Sequence, residues 1–256
     1  MKKTFLLPLL AALSLAGAQE LSPQQLVDKA IDQAGGWDAW MNTKTLQFRK
    51  TTVRFDEHGS EKERRVQFHK YILHPSPKMR IEWESNRSQG VFLNDGQQAW
   101  KLVNNKPSAD QADTNAARNN TFGSHYVFGM PFKLRDPGTI LEDAGTMTLE
   151  DGRAVQKVRA TYEKGAGDAG GMHAWTYMFD PQTGRLLANQ LQYEGDKWDW
   201  TEYYDEKPVG RMLLSTRRVG FAADANGKIG PKRSETIYDQ IETDVEFPKD
   251  LFKGPR

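Results

Sequence analysis

Residues 173–193 read HAWTYMFDPQTGRLLANQLQY, and this stretch decides the fold. Its aromatic residues occupy alternate positions, which places them on one face of a β-strand. They are Trp175, Tyr177 and Phe179. Asp180-Pro181 and Gly184 then predict a tight reversal, because proline presets φ and glycine accepts a positive φ.

The same alternation continues after the reversal. The apolar residues of the second strand are Leu187, Leu191 and Tyr193, and those of the third are Trp198, Trp200 and Tyr204. Three consecutive strands of this kind predict an antiparallel meander with a broad aromatic face. About ten such strands can be counted along the chain, and no parallel βαβ pattern interrupts them. We therefore predict an α+β, mainly β protein: one large antiparallel sheet with a few helices on one face.

Residues 1–18 have the pattern of a secretory signal peptide. A basic start at Lys2 and Lys3 precedes an apolar run and the small-residue sequence Ala16-Gly17-Ala18. The run is too short to span a bilayer, so we expect cleavage after Ala18 rather than a membrane anchor. Residues 19–256 are then a single domain that is periplasmic or secreted. The chain has no Cys, which excludes a lipidated N-terminal cysteine and disulfides.

The charge balance argues against a polyanionic partner. The chain has 35 basic and 34 acidic residues, and two of the basic ones, Lys2 and Lys3, lie in the signal peptide. The remaining 33 against 34 give a formal charge of −1. We expect no nucleic-acid partner, since such a chain has no global positive field.

Two helices are predicted. Ser22-Pro23 followed by Gln25 is a helix start, and Gly35-Gly36 is a helix end. A second, polar helix is predicted between Pro107 and Asn120. It leads into an apolar segment, Phe122–Leu134, that is too rich in Gly and Pro for a regular strand. We expect this segment to be buried on the aromatic face of the sheet and to act as a lid.

Three further strands carry large aromatic residues. Pro77–Glu84 alternates cleanly and places Trp83 inward, and Phe92 precedes the hairpin signal Asn94-Asp95-Gly96. Trp100 lies on the returning strand. In Thr45–Phe55 the apolar residues change face, which predicts a bulge near Lys50.

Five segments carry a resemblance to a known family. They are Gly35-Gly36 before Trp37, Asn94-Asp95-Gly96 before Trp100, residues 126–138 (YVFGMPFKLRDPG), residues 179–186 (FDPQTGRL) and residues 247–252 (FPKDLF). In this order the chain resembles the LolA/LolB-like lipoprotein carriers of Gram-negative envelopes, as an uncharacterised secreted branch. The resemblance implies an incomplete β-barrel, with a curved sheet wrapped over helices and an apolar cavity between them. In the carriers that cavity holds acyl chains.

No catalytic motif accompanies these patterns. The five His lack metal-ligand spacing, and His125 is interpreted as a structural residue. Gly123-Ser124-His125 lacks the second Gly of a nucleophile elbow. The acidic residues Glu194, Asp196, Asp199, Glu202, Asp205 and Glu206 lack the loop spacing of a calcium site and are interpreted as a solvated face. We expect neither a metal nor a cofactor, and not an enzyme.

Two functions remain open. The first is a monomeric binding protein for a hydrophobic small molecule, a lipid or a lipoprotein acyl chain, with a role in lipid or lipoprotein transport. Its predicted cavity lining is Trp83, Phe92, Trp100, Phe122, Tyr126, Phe128, Met130, Phe132, Trp175 and Tyr177. The second is a glycan-binding or envelope-interaction module that uses exposed Trp and Tyr, notably Trp198 and Trp200.

Overall fold

The structure is a computed structural model that describes residues 21–85, 88–167, 171–193 and 197–255. The predicted signal peptide lies outside these residues. The helices are α1 (Pro23–Gln33), α2 (Trp37–Asn42) and α3 (Gln111–Phe128), and a 3₁₀ turn spans Phe132–Arg135. The strands are β1 (Thr45–Phe55), β2 (Glu61–Ile72), β3 (Lys78–Ser85), β4 (Ser88–Asn94), β5 (Ala99–Val103), β6 (Lys106–Pro107), β7 (Thr139–Thr148), β8 (Ala154–Tyr162), β9 (Ala174–Phe179), β10 (Leu186–Gln192), β11 (Trp198–Val209), β12 (Met212–Ala223) and β13 (Ile229–Thr243).

Within the described ranges these thirteen strands form one antiparallel sheet. Its order is β6-β5-β4-β3-β2-β1-β13-β12-β11-β10-β9-β8-β7. Consecutive strands are neighbours in each half, and the first strand pairs with the last in the middle of the sheet. The single antiparallel sheet is confirmed, whereas the count of about ten strands was too low. The curved, mainly β architecture is the one predicted for an incomplete barrel.

Helix α1 forms as its sequence predicts. The Ser22 hydroxyl accepts a hydrogen bond from the Gln25 backbone, and the Gln25 side chain accepts one from the Ser22 backbone. Its apolar stripe is fully buried: Leu26, Val27, Ala30 and Ile31. The helix ends before Gly35, whose φ is 111°. A Cβ at Gly35 would lie 2.5 Å from the Arg211 carbonyl oxygen, so only glycine lets the chain pass the β11–β12 turn so closely.

The face that each strand buries follows the predicted alternation with local slips. Trp175 and Tyr177 stack with centroids 5.9 Å apart on the inner face, the face covered by the helices. On β10 a register shift between Leu186 and Ala188 moves Leu187 to the outer face. The expectation that Leu187 and Leu191 share a face was therefore wrong, because a bulge changes the phase of the side chains.

A bulge also occurs near the predicted place in β1, but on its partner strand. The β1–β13 register shifts between Gln47 and Arg49. The extra residue belongs to β13, where Gln240 has a φ of 50°. Strand β1 itself stays regular against β2 as far as Arg54. Leu46, Phe48 and Lys50 therefore keep to alternate positions on the inner face.

Helix α3 is longer than predicted. It continues through Phe128, so the first half of the segment Phe122–Leu134 is helical and has a helical period. Gly123 does not interrupt it, since its position is open and has no neighbouring atom within 4 Å of a built Cβ. The buried side of α3 consists of Ala117, Thr121, His125, Tyr126 and Phe128. Most of α3 lies over β3, β4 and β5, and its last turn reaches β1 and β13, where Phe128 contacts Phe48 and Tyr238.

Three apolar clusters pack against the sheet in the described residues, and two of them meet at β9 on opposite faces. The larger lies between the inner face and the helices and includes Trp40, Phe48, Phe128 and Phe132. The smaller includes Met178 and the fully buried Trp200. Met178 lies between Tyr177 and Phe179 of the larger cluster, and neighbouring residues of a strand point to opposite faces. The outer face of this part of the sheet is therefore also packed.

Candidate functional site

A groove runs between the second half of α3 and the inner face of the sheet, beside the strands β3–β5 that most of α3 covers. Its wide outer part has a volume of about 530 Å³ and its narrow inner part about 160 Å³. Lys50, Val127 and Trp175 line both parts, which makes them two ends of one space. We call this space the central groove. The outer volume falls in the usual range for ligand sites, roughly 300–1,000 Å³.

The outer end of the central groove is largely apolar. Trp175, from β9, is 6% exposed, and Leu191, its cross-strand partner on β10, is 7% exposed. Met172 is 66% exposed at the rim. Helix α3 contributes Val127, the bare backbone of Gly123 and three polar residues, Asn119, Asn120 and Ser124. A flexible thioether beside aromatic and aliphatic walls suits an apolar ligand of irregular shape.

The inner end combines two cations with several hydroxyl and amide groups, and it lies where β1, β13, β12 and β11 run side by side. Lys50 on β1 is opposite Tyr238 on β13, and Arg218 on β12 is opposite Tyr203 on β11. Cross-strand partners point to the same face, so all four side chains reach the groove. Asn189, Thr201, Ser234 and Thr236 complete its polar lining.

Arg218 is a buried cation that joins the sheet to α3. It is 7% exposed, and its Nη1 donates a hydrogen bond of 2.6 Å to the Val127 carbonyl. Its guanidinium carbon lies 4.7 Å from the Tyr203 ring centre and 5.1 Å from the Tyr238 ring centre. Such contacts orient a guanidinium over π-faces. Its Nε has no hydrogen-bond partner among the described residues.

Lys50 is a half-buried cation beside it. Burial lowers the pKa of the Lys50 ammonium, the Tyr238 hydroxyl opposes this, and the positive charge of Arg218 lowers the pKa further. No carboxylate of the described chain pairs with Lys50. The inner end therefore concentrates positive charge in a partly desolvated place.

The ten predicted lining residues divide into four groups. Trp175 lines the central groove. Trp100 and Phe122 line a separate polar cavity of about 400 Å³ between the β4–β5 hairpin and α3. Trp83 lines a cavity of about 210 Å³ at the outer end of β3, and Phe92 packs on Trp83 with centroids 4.4 Å apart. The remaining five are buried in the larger cluster and line none of these cavities: Tyr126, Phe128, Met130, Phe132 and Tyr177.

The cations of the groove were not among the predicted site residues. Lys50 follows Leu46 and Phe48 at alternate positions of β1 and interrupts the apolar run, which Thr52 and Arg54 do not resume. That interruption is the one signal that the sequence offers for it. Arg218 follows Arg217 in a strand with polar and apolar residues mixed, so nothing in the pattern separates the inward from the outward cation.

Burial removes Trp200 from the exposed aromatic platform of the second hypothesis. Trp200 is fully buried on the outer face and Trp175 is 6% exposed. Trp198 is half-buried. A sugar platform needs aromatic faces in solvent, so neither Trp175 nor Trp200 can belong to one.

The remaining titratable candidates have structural surroundings. His125 is buried, and its ring stacks on Trp40 at 6.2 Å. Burial lowers its pKa well below the ordinary value, so the ring is neutral. Of the acidic series, Asp199, Asp205 and Glu206 pair with arginines, whereas Glu194 and Asp196 lie outside the described residues. Among the residues with described positions, no group of three or more His, Asp or Glu could hold a metal ion.

None of the helices in the described ranges is long and apolar enough to cross a membrane.

Comparison with known proteins identifies the fold. A family model described as a family of unknown function, DUF6503, matches residues 91–209. No curated protein is significantly similar to this chain in sequence. A LolA superfamily protein from Nitrosomonas europaea has a similar structure, with a TM-score of 0.58 at 9% identity over 92% of this chain and 99% of that chain.

Two further structures agree with it. A DUF1329 family protein from Desulfovibrio piger gives a TM-score of 0.56 at 9% identity, over 91% of this chain and 98% of that chain. A Vibrio parahaemolyticus domain named for outer membrane lipoprotein sorting gives 0.54 at 9% identity, over 91% and 96%. The fold implied by the sequence resemblance is confirmed: this chain has the LolA-like architecture of a curved antiparallel sheet wrapped over helices.

Proposed function

We propose that this protein binds the apolar chain of a lipid, a lipoprotein or a similar hydrophobic molecule in the central groove, as a carrier of the cell envelope. The observation that carries this proposal is the groove itself. Helix α3 packs over β3–β5 but leaves a space of about 530 Å³ toward β9 and β10, walled by Trp175 and Leu191. The LolA-like fold of the neighbours supports the same reading.

The buried aromatic residues of α3 and the following turn support a closed resting state. Tyr126, Phe128 and Phe132 are at most 2% exposed. Leaving such side chains in water costs roughly 1.5–3 kcal/mol each, so they are shut against the sheet when the groove is empty. A long ligand then enters at the exposed rim near Met172 and displaces α3 from that side. The lid is thus the second half of α3 rather than an irregular segment.

Gly123 offers a sharp test, because it lines the groove and its position is open. Gly123→Trp should fill the outer end and weaken binding of dodecanol by roughly tenfold or more, about 1.4 kcal/mol. Gly123→Ala is the matched control: it adds one methyl group, should retain binding, and should stabilise α3 by about 0.5–1 kcal/mol.

Binding is measured by titration calorimetry with dodecanol, and by mass spectrometry of lipids that co-purify with the protein from an envelope fraction. Equal dodecanol affinities of the two variants would place any ligand elsewhere. Absence of both dodecanol binding and co-purifying lipid in the unaltered protein would refute the function.

A further inference from the structure

We propose that the inner end of the central groove selects ligands with an anionic headgroup, which it holds between Lys50 and Arg218. The ligand class is a single-chain amphiphile ending in a carboxylate or a phosphate, with its tail passing Trp175 toward the rim. This inference rests on the proposed function and adds the chemistry of the ligand's head to it.

The charge inventory of the inner end is one-sided. Its lining contains two cations, Lys50 and Arg218, and no Asp or Glu among the described residues. The other lining residues are neutral. Two positive charges that share a partly desolvated space repel each other, and an anion between them removes that cost.

The neighbouring cations on the same two strands do have carboxylate partners. Arg49, which points to the outer face beside Lys50, makes two hydrogen bonds of 2.7 Å to Asp239. Arg217, beside Arg218, lies 2.9 Å from Asp205. On both strands the outward cation has a carboxylate partner and the inward cation has none in the described chain.

The contacts of Arg218 fix its position but leave part of its hydrogen-bonding capacity unused. One nitrogen donates to the Val127 carbonyl, and two tyrosine rings fix the plane of the guanidinium. Its Nε stays buried without an acceptor, which is unfavourable unless a ligand supplies one. A planar, oriented guanidinium is suited to carboxylate and phosphate oxygens.

Neutral donors and acceptors surround the same space. Asn189 is 3% exposed; its Nδ2 donates to the Tyr203 hydroxyl at 2.5 Å, and its Oδ1 lacks a partner in the described residues. The hydroxyls of Thr201, Ser234 and Thr236 also line this end. They provide hydrogen bonds to a headgroup that the two cations attract.

The test compares matched ligands that differ only in the head. Dodecanoate and dodecyl phosphate should bind the unaltered protein roughly ten- to a hundredfold more tightly than dodecanol, in line with charge-assisted hydrogen bonds. Lys50→Met should abolish most of this preference, measured as the ratio of the dodecanoate affinity to the dodecanol affinity of the same variant. Lys50→Arg should restore it, and Arg49→Met, which removes the paired outward cation, should not change it.

The outcomes separate the two proposals. Equal binding of dodecanol and dodecanoate overturns the anion site and leaves the apolar groove standing, whereas failure of all three ligands refutes the proposed function itself. If inorganic phosphate alone binds as tightly as dodecyl phosphate, the site binds a free anion, and the proposal that it binds the headgroup of an amphiphile is wrong. A thermal melt checks that the Lys50 variants fold; since Lys50 has no ion-pair partner in the described chain, no large loss is expected.

Discussion

Phe128→Ala tests whether the end of α3 is packed core in the ligand-free protein. Phe128 is 2% exposed, and its ring stacks on Phe48 with centroids 4.3 Å apart and planes at 9°. It also meets Tyr238 edge-on at 5.2 Å. Removing a buried Phe ring costs about 3–5 kcal/mol, and aromatic pairs add to the value of burial, so we expect a loss in the upper half of that range.

Urea unfolding monitored by tryptophan fluorescence measures this loss. For a chain of this size, about 3–5 kcal/mol corresponds to a drop in Tm of about 6–20 °C. Phe122→Ala is the control on the same helix, because Phe122 is only half-buried and should cost less. If Phe128→Ala costs less than about 1 kcal/mol, the end of α3 is not packed as described. We expect Phe128→Ala to retain dodecanol binding and Phe128→Asp to lose both stability and binding.

Two further predictions concern stability. Burial lowers the pKa values of His69 and His125, so the unfolded chain binds more protons than the folded one below about pH 6.5. The free energy of unfolding should therefore fall by up to about 1.4 kcal/mol per pH unit for each residue as the pH drops toward 5. A free energy of unfolding that stays constant over this range in urea titrations would contradict this. Gly184→Ala should destabilise the protein by about 1–3 kcal/mol more than Gly152→Ala. Both residues have a positive φ, but a Cβ at Gly184 would lie 2.9 Å from the backbone of Lys29, whereas the space around Gly152 is open. Equal losses of stability in thermal melts would disprove the close packing of this turn on α1.

Features set by neighbouring residues were predictable from the sequence. The capping of α1 by Ser22 depends on three residues, and the bounds of β1 depend on its own composition. The Asn94-Asp95-Gly96 hairpin depends on a side chain that accepts the Gly96 amide and a residue that tolerates a φ of 94°. Each of these needs only local chemistry, which is why each was correct.

Features that depend on distant pairing were not predictable. Trp200 has the same alternation as an inward residue, but it is covered on the outer face, where a Cβ on Gly227 of the β12–β13 loop would lie 3.7 Å from its ring. The end of α3 was missed for a different, local reason. Gly123 and Gly129 weaken the helical pattern of the sequence, although neither ends the helix before Phe128. Alternation reports two faces and does not say which of them is covered.

The inner end of the central groove shows why the site had to come from the structure. Lys50 and Arg218 lie on strands that flank β13, and they meet because the first strand of the sheet pairs with the last. A slip of one residue would exchange Lys50 for Arg49 and Arg218 for Arg217 on the inner face. Arg49 and Arg217 pair with carboxylates on neighbouring strands. The register therefore places the cations that have a carboxylate partner on the outer face and Lys50 and Arg218, which have none in the described chain, on the inner face. The bulge at Gln240 helps to fix this register, and the chemistry of the groove therefore depends on a backbone feature in a strand that itself carries no charge into it.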